Sequence, residues 1–330
     1  MSLIRDYPLT GSGLKTFWLV HPTYALLSNL QFVQHVHNSF LEVWIEQGIL
    51  GALALVTGTL VVATWAWDAL SRKDVRACAW AGLFSLTVVA LHGLIDVVFY
   101  IERTLPLIGL ALGFAWYASS YSQIAVSTPV VNRRYVWIGG IILAVMLLSG
   151  FLFKQEILSA WNSNMGAIDQ TRTELAYYDP ENFKDLTIDQ IRRSIDLSQA
   201  ETGFNQALNY NNSNATALHR LTQIEMSRRE FNLALEHMQT AWNSGHRDDV
   251  TRLLYADALV ADGQPSPSAE IVRGLVQAEA RLLYHTWYRY HQDRDYMRSI
   301  YAWQTVLLLN PDNQQAQHGL EDAQKRLDQQ

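Results

Sequence analysis

The residues best suited to chemistry lie in one stretch, Gln34 to Gly51, which reads QHVHNSFLEVWIEQGILG. His35 and His37 stand one residue apart, just before an apolar run that continues to about Trp67. A neutral imidazole near pH 7 suits proton abstraction. Asn38 follows directly, and Ser39 with Glu42 forms an S-x-x-E pair, a helix-start signature. The pattern predicts a helix that begins near Ser39 at a membrane surface and dives in. Its mouth offers unpaired N–H groups and the positive end of a helix dipole, which favour anions such as phosphate. Histidines at such a place are also often no more than solvated polar groups. By the same reasoning Glu42 reads as a cap and Glu46 as a polar residue on the helix face.

His92 and Asp96 form a second candidate pair. Four residues apart, they share a helix face. Ionisable groups inside a membrane span are costly and mark function by default, although Asp96 sits near the end of its span, where water reaches it. Gly11 and Gly13 form a G-x-G loop. No strand precedes it, so a nucleotide fold is not expected.

The elements that must position these residues are helical. The chain of 330 residues divides into two halves. Residues 1–154 hold 9 Lys and Arg against 7 Asp and Glu, whereas 155–330 hold 16 against 24. The first half is membrane-like and the second soluble and acidic. Phosphate affinity comes from Lys and Arg, so no nucleic-acid partner is expected. The single cysteine, Cys78, excludes a disulfide or zinc framework. No carboxylate cluster has metal-ligand spacing, and no cofactor is called for.

Residues 1–38 read as a loop region without a signal peptide. Four apolar runs, at about 40–67, 77–98, 104–121 and 135–153, are each long enough to span a bilayer. Basic links at Arg72, Lys73 and Arg76 and at Arg133 and Arg134 face the cytoplasm by the positive-inside rule, on a narrow bias of five to four. His35, His37, Asp96 and the C-terminal half then face outward. Residues 155–180 read as a bridge. From 181 onward small and apolar residues recur with a 34-residue period, Ala200, Phe204 and Ala207 against Ala234, Met238 and Ala241. Leu309-Asn310-Pro311-Asp312 closes the pattern. That is the tetratricopeptide signature, with repeats expected at 181–214, 215–248, 249–279 and 280–312 and a capping helix at 313–328. Such repeats stack into a concave surface for a protein partner. Trp242, Trp287 and Trp303 read as repeat packing. The fold class is therefore all-α: a multi-pass transmembrane bundle of about four spans followed by a tetratricopeptide α-solenoid.

Three motifs in order, G-S-G-L-K-T-F at Gly11 to Phe17, H-N-S-F-L-E at His37 to Glu42 and E-Q-G-I-L-G at Glu46 to Gly51, resemble the C-terminal half of the O-antigen ligase and polymerase superfamily. The resemblance covers about residues 5 to 115. It implies transfer of a glycan from a polyprenyl-pyrophosphate carrier to an acceptor hydroxyl on a glycan, lipid or protein, at the outer face of the bacterial inner membrane. It assigns His37 as the catalytic residue, with His35, Asn38, His92, Asp96, Gly11 and Gly13 around the substrates. Family arginines upstream of the G-x-G loop have no counterpart here, since Arg5 lies too close to it. The expectation is thus of a fragment or one half of a split protein. The rival is a membrane-anchored tetratricopeptide scaffold without chemistry. A transport role is disfavoured by short links and by the lack of any sign of broken helices.

Overall fold

The computed structural model describes residues 2–17, 20, 35–96, 105–123, 148, 150–177, 188–276 and 278–330. Among these the regular elements are helices, with no strand. In chain order they are α1 Ser2–Asp6, α2 Ser39–Ala69, α3 Arg76–Gly93, α4 Leu105–Gln123, α5 Lys154–Ala176, α6 Ile188–Ser194 and α7 Ser198–Tyr210. There follow α8 Ala215–Arg228, α9 Phe231–Asn243, α10 Asp249–Ala261, α11 Pro265–Val272 and α12 Ala278–His285, which runs on as a π-helix, Thr286–His291. Last come α13 Tyr296–Leu309 and α14 Gln314–Leu327.

Among the described residues one helix, α2, is long and apolar enough to cross a membrane. It is broken, contrary to the expectation of uninterrupted helices. Gly48 has φ 68° and ψ −172°, outside helical space. The part after the break, 49–69, is about 30 Å long at about 1.5 Å per residue, the thickness of a bilayer's hydrocarbon core. The part before it, 39–47, carries Glu42 and Glu46 and is largely buried in protein.

α2, α3 and α4 pack on one another through small residues. Ala66, Ala69, Ala79, Ala111, Ala115 and Ala118 are buried, while Trp67, Phe84, Leu91, Leu110 and Trp116 point outward. Gly82 lies against the Ala115 backbone, where an added Cβ would come within 3.0 Å of its nitrogen. Small inside and large apolar outside is how helices associate in lipid, where close backbone approach replaces the hydrophobic effect. Of the four predicted runs, the first three coincide with α2, α3 and α4. Helix α3 stops at Gly93, before the predicted end at 98. The fourth, 135–153, falls outside the described residues except for 148 and 150–153.

The C-terminal half is a set of paired antiparallel helices. Lys154–Ala176, expected as a bridge, is the first member of the first pair: α5 and α7 touch backbone to backbone at Gly166 and Gly203, and Ser159 Oγ donates to the Ala207 carbonyl at 2.9 Å. The helix starts follow from side-chain caps. Asn214 Oδ1 accepts from Ala217 N at 3.0 Å, and Asn313 Oδ1 from Ala316 N at 2.8 Å. Asp248 caps Val250 and Thr251. Each cap satisfies an N–H that the first helical turn leaves without a partner. Ala200, Phe204, Ala207, Ala234, Met238 and Ala241, the residues of the 34-residue pattern, are all buried, and so are Ser299, Trp303 and Val306, which have the same spacing within α13. Trp287 departs from the expected packing role: it is 51% exposed and stacks on His291 with ring centroids 4.5 Å apart.

The two halves share a core. Leu3, Tyr7, Phe17 and Ile45 pack with Ala167, Ile191, Ala200 and Phe204. Asp6 is buried and takes Arg220 at 3.0 Å and the Thr216 hydroxyl at 3.0 Å. Tyr7 bonds the Thr171 hydroxyl. Asn164 Oδ1 accepts from the Leu9 and Thr10 N–H groups, at 3.1 and 3.4 Å. The segment 3–10 is therefore held by the C-terminal helices. It in turn holds the break in α2.

Candidate functional site

The break at Gly48 leaves backbone groups without helical partners, and the G-x-G loop supplies them. Ser12 N donates to the Ile45 carbonyl at 2.8 Å, and Gly13 N to the Glu46 carbonyl at 2.9 Å. Ile49 N donates in return to the Pro8 carbonyl at 2.9 Å. This approach requires glycine on both sides. A Cβ on Gly48 would lie 2.2 Å from the Leu9 oxygen, and one on Gly11 2.1 Å from the Glu46 carbonyl carbon. Both residues have positive φ, which glycine adopts without the steric cost borne by other residues. The N–H groups of Gly11, Ser12 and Gly13 thus have acceptors inside the protein.

Glu46 completes the docking. Its side chain is buried, and its two oxygens accept from Lys15 N at 2.8 Å and Phe17 N at 3.1 Å. The sequence alone marked it as a polar face residue. The signal was present nonetheless: Glu42 and Glu46 are two acids one turn apart in an otherwise apolar helix.

Glu42, one turn earlier and also buried, fixes the histidine segment. His35 Nδ1 lies 2.7 Å from its Oε1, and Val36 N donates to Oε2 at 3.4 Å. The helix start differs by one residue from the expected capping box. Asn38 is the N-cap, its Oδ1 accepting from Leu41 N at 2.9 Å. Ser39 is released from capping, and its hydroxyl donates to the Asp96 carbonyl at 2.9 Å. The carboxylate of Glu42, spared the reciprocal cap, turns to His35.

The mouth of α2 is stitched to the end of α3. Asn38 Nδ2 donates to the Leu94 carbonyl at 2.9 Å. This brings His37 to His92 and Asp96, a pair more than fifty residues on. His37 Nδ1 stands 3.4 Å from Asp96 Oδ1, and His92 Nε2 stands 4.0 Å from Asp96 Oδ2. All three side chains are open to solvent, His37 73% exposed. His37 has φ 55°, a strained conformation for a residue with a Cβ, and it turns the imidazole outward while His35 turns inward. Asp96 thus stands on the Nδ1 side of the His37 ring. Among the described residues no three His, Cys, Asp or Glu side chains are arranged to hold a metal ion.

Beside this mouth the elbow between 39–47 and 49–69 encloses an open apolar groove of about 710 Å³. Phe40, Leu41 and Trp44 line it before the break, Ile49, Leu53 and Val56 after it, and Asn38 and Leu94 lie at its head. Arg5 also borders the groove, but its guanidinium is engaged elsewhere. It meets Asp248 at 3.0 Å and donates to His219 Nδ1 at 2.9 Å. His219 is buried, and its Nε2 faces the Thr251 hydroxyl at 2.9 Å. Burial and the neighbouring Arg5 push its pKa down to about 3, so the ring is neutral at ordinary pH.

The family described as O-Antigen ligase matches residues 1–56. The matched span contains the G-x-G loop, both histidines, Glu42, Glu46 and the Gly48 break. No curated protein and no solved structure matches the chain. The match and the apolar helix together point to a membrane protein that handles glycans.

Proposed function

We propose that the chain is a glycan-transferring membrane protein of the O-antigen ligase type, with its chemistry at the mouth of α2. The observation that carries this reading is the convergence of His37, His92 and Asp96 next to Asn38 and Leu94, which line an apolar groove. In the proposed reaction an acceptor hydroxyl approaches His37 Nε2, which takes its proton. The oxygen forms a bond to the anomeric carbon of the glycan as the bond from that carbon to the pyrophosphate breaks. Pyrophosphate departs on its polyprenyl carrier as an anion. Asp96 holds the ring orientation and stabilises the imidazolium, and His92 borders the same carboxylate. Asn38 ties the mouth to α3. The apolar groove is the right chemistry for the first isoprene units of the carrier. Gly11 and Gly13 serve the site through the shape they give the loop, and His35 serves through its anchor on Glu42.

In this reading α2, α3 and α4, with the run at 135–153, cross the bacterial inner membrane. The mouth and the C-terminal helices lie on the periplasmic side, and those helices are tetratricopeptide-type pairs that receive a protein partner. The acceptor is a glycan, lipid or protein.

The test is transfer from a purified polyprenyl-linked donor in membranes of cells that make the chain. A general base contributes typically about two to four orders of magnitude in rate. His37→Ala is expected to lose activity on that scale with insertion intact, and His35→Ala to lose less. A second reading is favoured by the way Arg5, Asp6 and Tyr7 are taken up by the C-terminal helices. It is a membrane-anchored scaffold for protein partners, without chemistry. Equal transfer by wild type and His37→Ala would select it.

A further inference from the structure

The connection between α5 and α7 is much longer than an antiparallel pair needs. Helix pairs are commonly joined by about two to eight residues, and here 177–197 intervene. Inside this connection sits α6, laid across helices that follow it in the chain. Its Asp189 receives Arg289, of the π-helix a hundred residues on, through two bonds of 2.6 and 2.9 Å. Ser227, at the end of α8, donates to the same carboxylate at 2.7 Å. One turn later in α6, Arg193 donates to the Ser227 carbonyl and to Asp293, both at 2.6 Å. On the other flank Arg192 meets Glu174 of α5 at 2.7 Å. Within α6 the apolar anchor in the shared core is Ile191, and Ile195 and Leu197 follow it just after the helix.

This is the composition of a ligand in a receptor more than of a core helix. The contacts are charge-specific, and one of them, the bidentate Asp189–Arg289 pair, reaches a π-helix, a rare form often found at functional sites. We propose that α6 is an internal ligand. It covers a groove formed by α8 and the π-helix, and that groove receives a helix of a partner protein bearing a carboxylate and, four residues on, a guanidinium. The proposal rests on reading the C-terminal helices as a partner-binding surface, and it adds the partner's chemistry and the segment that regulates access.

Selectivity follows from the burial of Arg289. An intruding helix without a matching carboxylate leaves that guanidinium buried and uncompensated, which is strongly unfavourable. A helix that presents the same pair of charges replaces each ion pair as it breaks it, so the exchange is nearly balanced. Asp293 then pairs with the incoming guanidinium, as it now does with Arg193.

The full chain in detergent is tested with a fluorescent peptide of residues 184–198 and with a charge-reversed peptide carrying Asp189→Lys and Arg193→Glu. The chain with Asp189→Asn and Arg193→Gln is expected to bind the first peptide at least tenfold more tightly than wild type does, and to ignore the second. Equal binding of both peptides, or binding of neither, overturns the proposal. Hydrogen exchange on the unmodified chain is an independent test. Amides of 188–194 should exchange at least tenfold faster than those in the middle of α8, because an exchangeable ligand opens without global unfolding. Exchange as slow as that of α8 makes α6 an integral part of the core and ends the proposal. Neither readout involves glycan transfer, so the outcome leaves the chemistry of His37 to be judged by its own assay.

Discussion

The residue with the most consequence for the site is Gly48, which carries no reactive group. Its conformation breaks α2, and the break exposes the Ile45 and Glu46 carbonyls to which the G-x-G loop docks. Gly48→Ala therefore meets both a strained φ and a backbone oxygen 2.2 Å from the new Cβ. Strained φ and overpacking each cost about 1–3 kcal/mol. The variant should show a markedly lower unfolding temperature in detergent, together with faster proteolysis at Lys15. A second residue-scale effect concerns acid. His219 has its folded pKa lowered to about 3, by burial first and Arg5 second. The unfolded chain takes up that proton near the ordinary value of about 6.5 and the folded chain does not. The stabilisation is therefore present above about 6.5 and is lost as pH falls toward 3. Asp248, its pKa lowered to about 2 by Arg5 and Thr251 against the opposing effect of burial, extends the loss below the carboxylate range. Unfolding temperatures measured from pH 7 down to pH 4 should drop for wild type, and drop less for His219→Gln.

At the scale of elements, the first pair of the C-terminal half begins at α5. The periodic pattern first appears at Ala200, so a boundary near 178 is the natural choice from sequence. The Gly166 and Gly203 contact and the Ser159 bond show what that choice removes. Cutting at 178 strips the apolar faces of α7 and α8 of Ala167 and its neighbours. Residues 154–330 expressed alone should be soluble and strongly helical by circular dichroism, with one cooperative transition. Residues 178–330 should melt at a clearly lower temperature or aggregate. Equal melting of the two would mean that α5 contributes nothing to the pair.

For the whole molecule, the question is how the site, the apolar helices and the C-terminal half are arranged about a bilayer. The N-terminal segment 3–10 is fixed to α5, α8 and Asp248. In the proposed reading these contacts put the loop, the mouth of α2 and the C-terminal helices on the same side of the bilayer. Ser71, in the turn after α2, lies at the opposite end of 49–69. Both Ser71 and Ser198 are exposed, so cysteines placed there report sidedness directly. In intact cells an impermeant thiol reagent should label Ser198→Cys and spare Ser71→Cys, in a chain whose Cys78 is replaced by alanine. The reverse pattern would invert the orientation, and the proposed periplasmic site with it.

The sequence by itself determined the elements. Length and apolarity marked α2, α3 and α4, because the backbone groups of a long apolar run are satisfied within a helix. The 34-residue spacing marked the buried small residues of the C-terminal pairs, because stacked helices repeat their contacts at a fixed period. The order G-x-G, His-Asn, E-Q-G marked the region that the O-Antigen ligase family matches. Tertiary structure alone decided what those motifs do for one another. Nothing local to Gly11 says that its neighbours' N–H groups end on Ile45 and Glu46, more than thirty residues away. Nothing local to Glu42 chooses His35 over the helix cap, since both partners lie within reach and only packing selects between them. His37 and Asp96 are 59 residues apart and meet because Asn38 and Ser39 bond the end of α3. Arg5 lies close to the loop in sequence, yet its charge is spent on His219 and Asp248 more than two hundred residues on. A polar group satisfies its bonding with whichever partner the fold brings near, and that partner is set by the packing of distant helices.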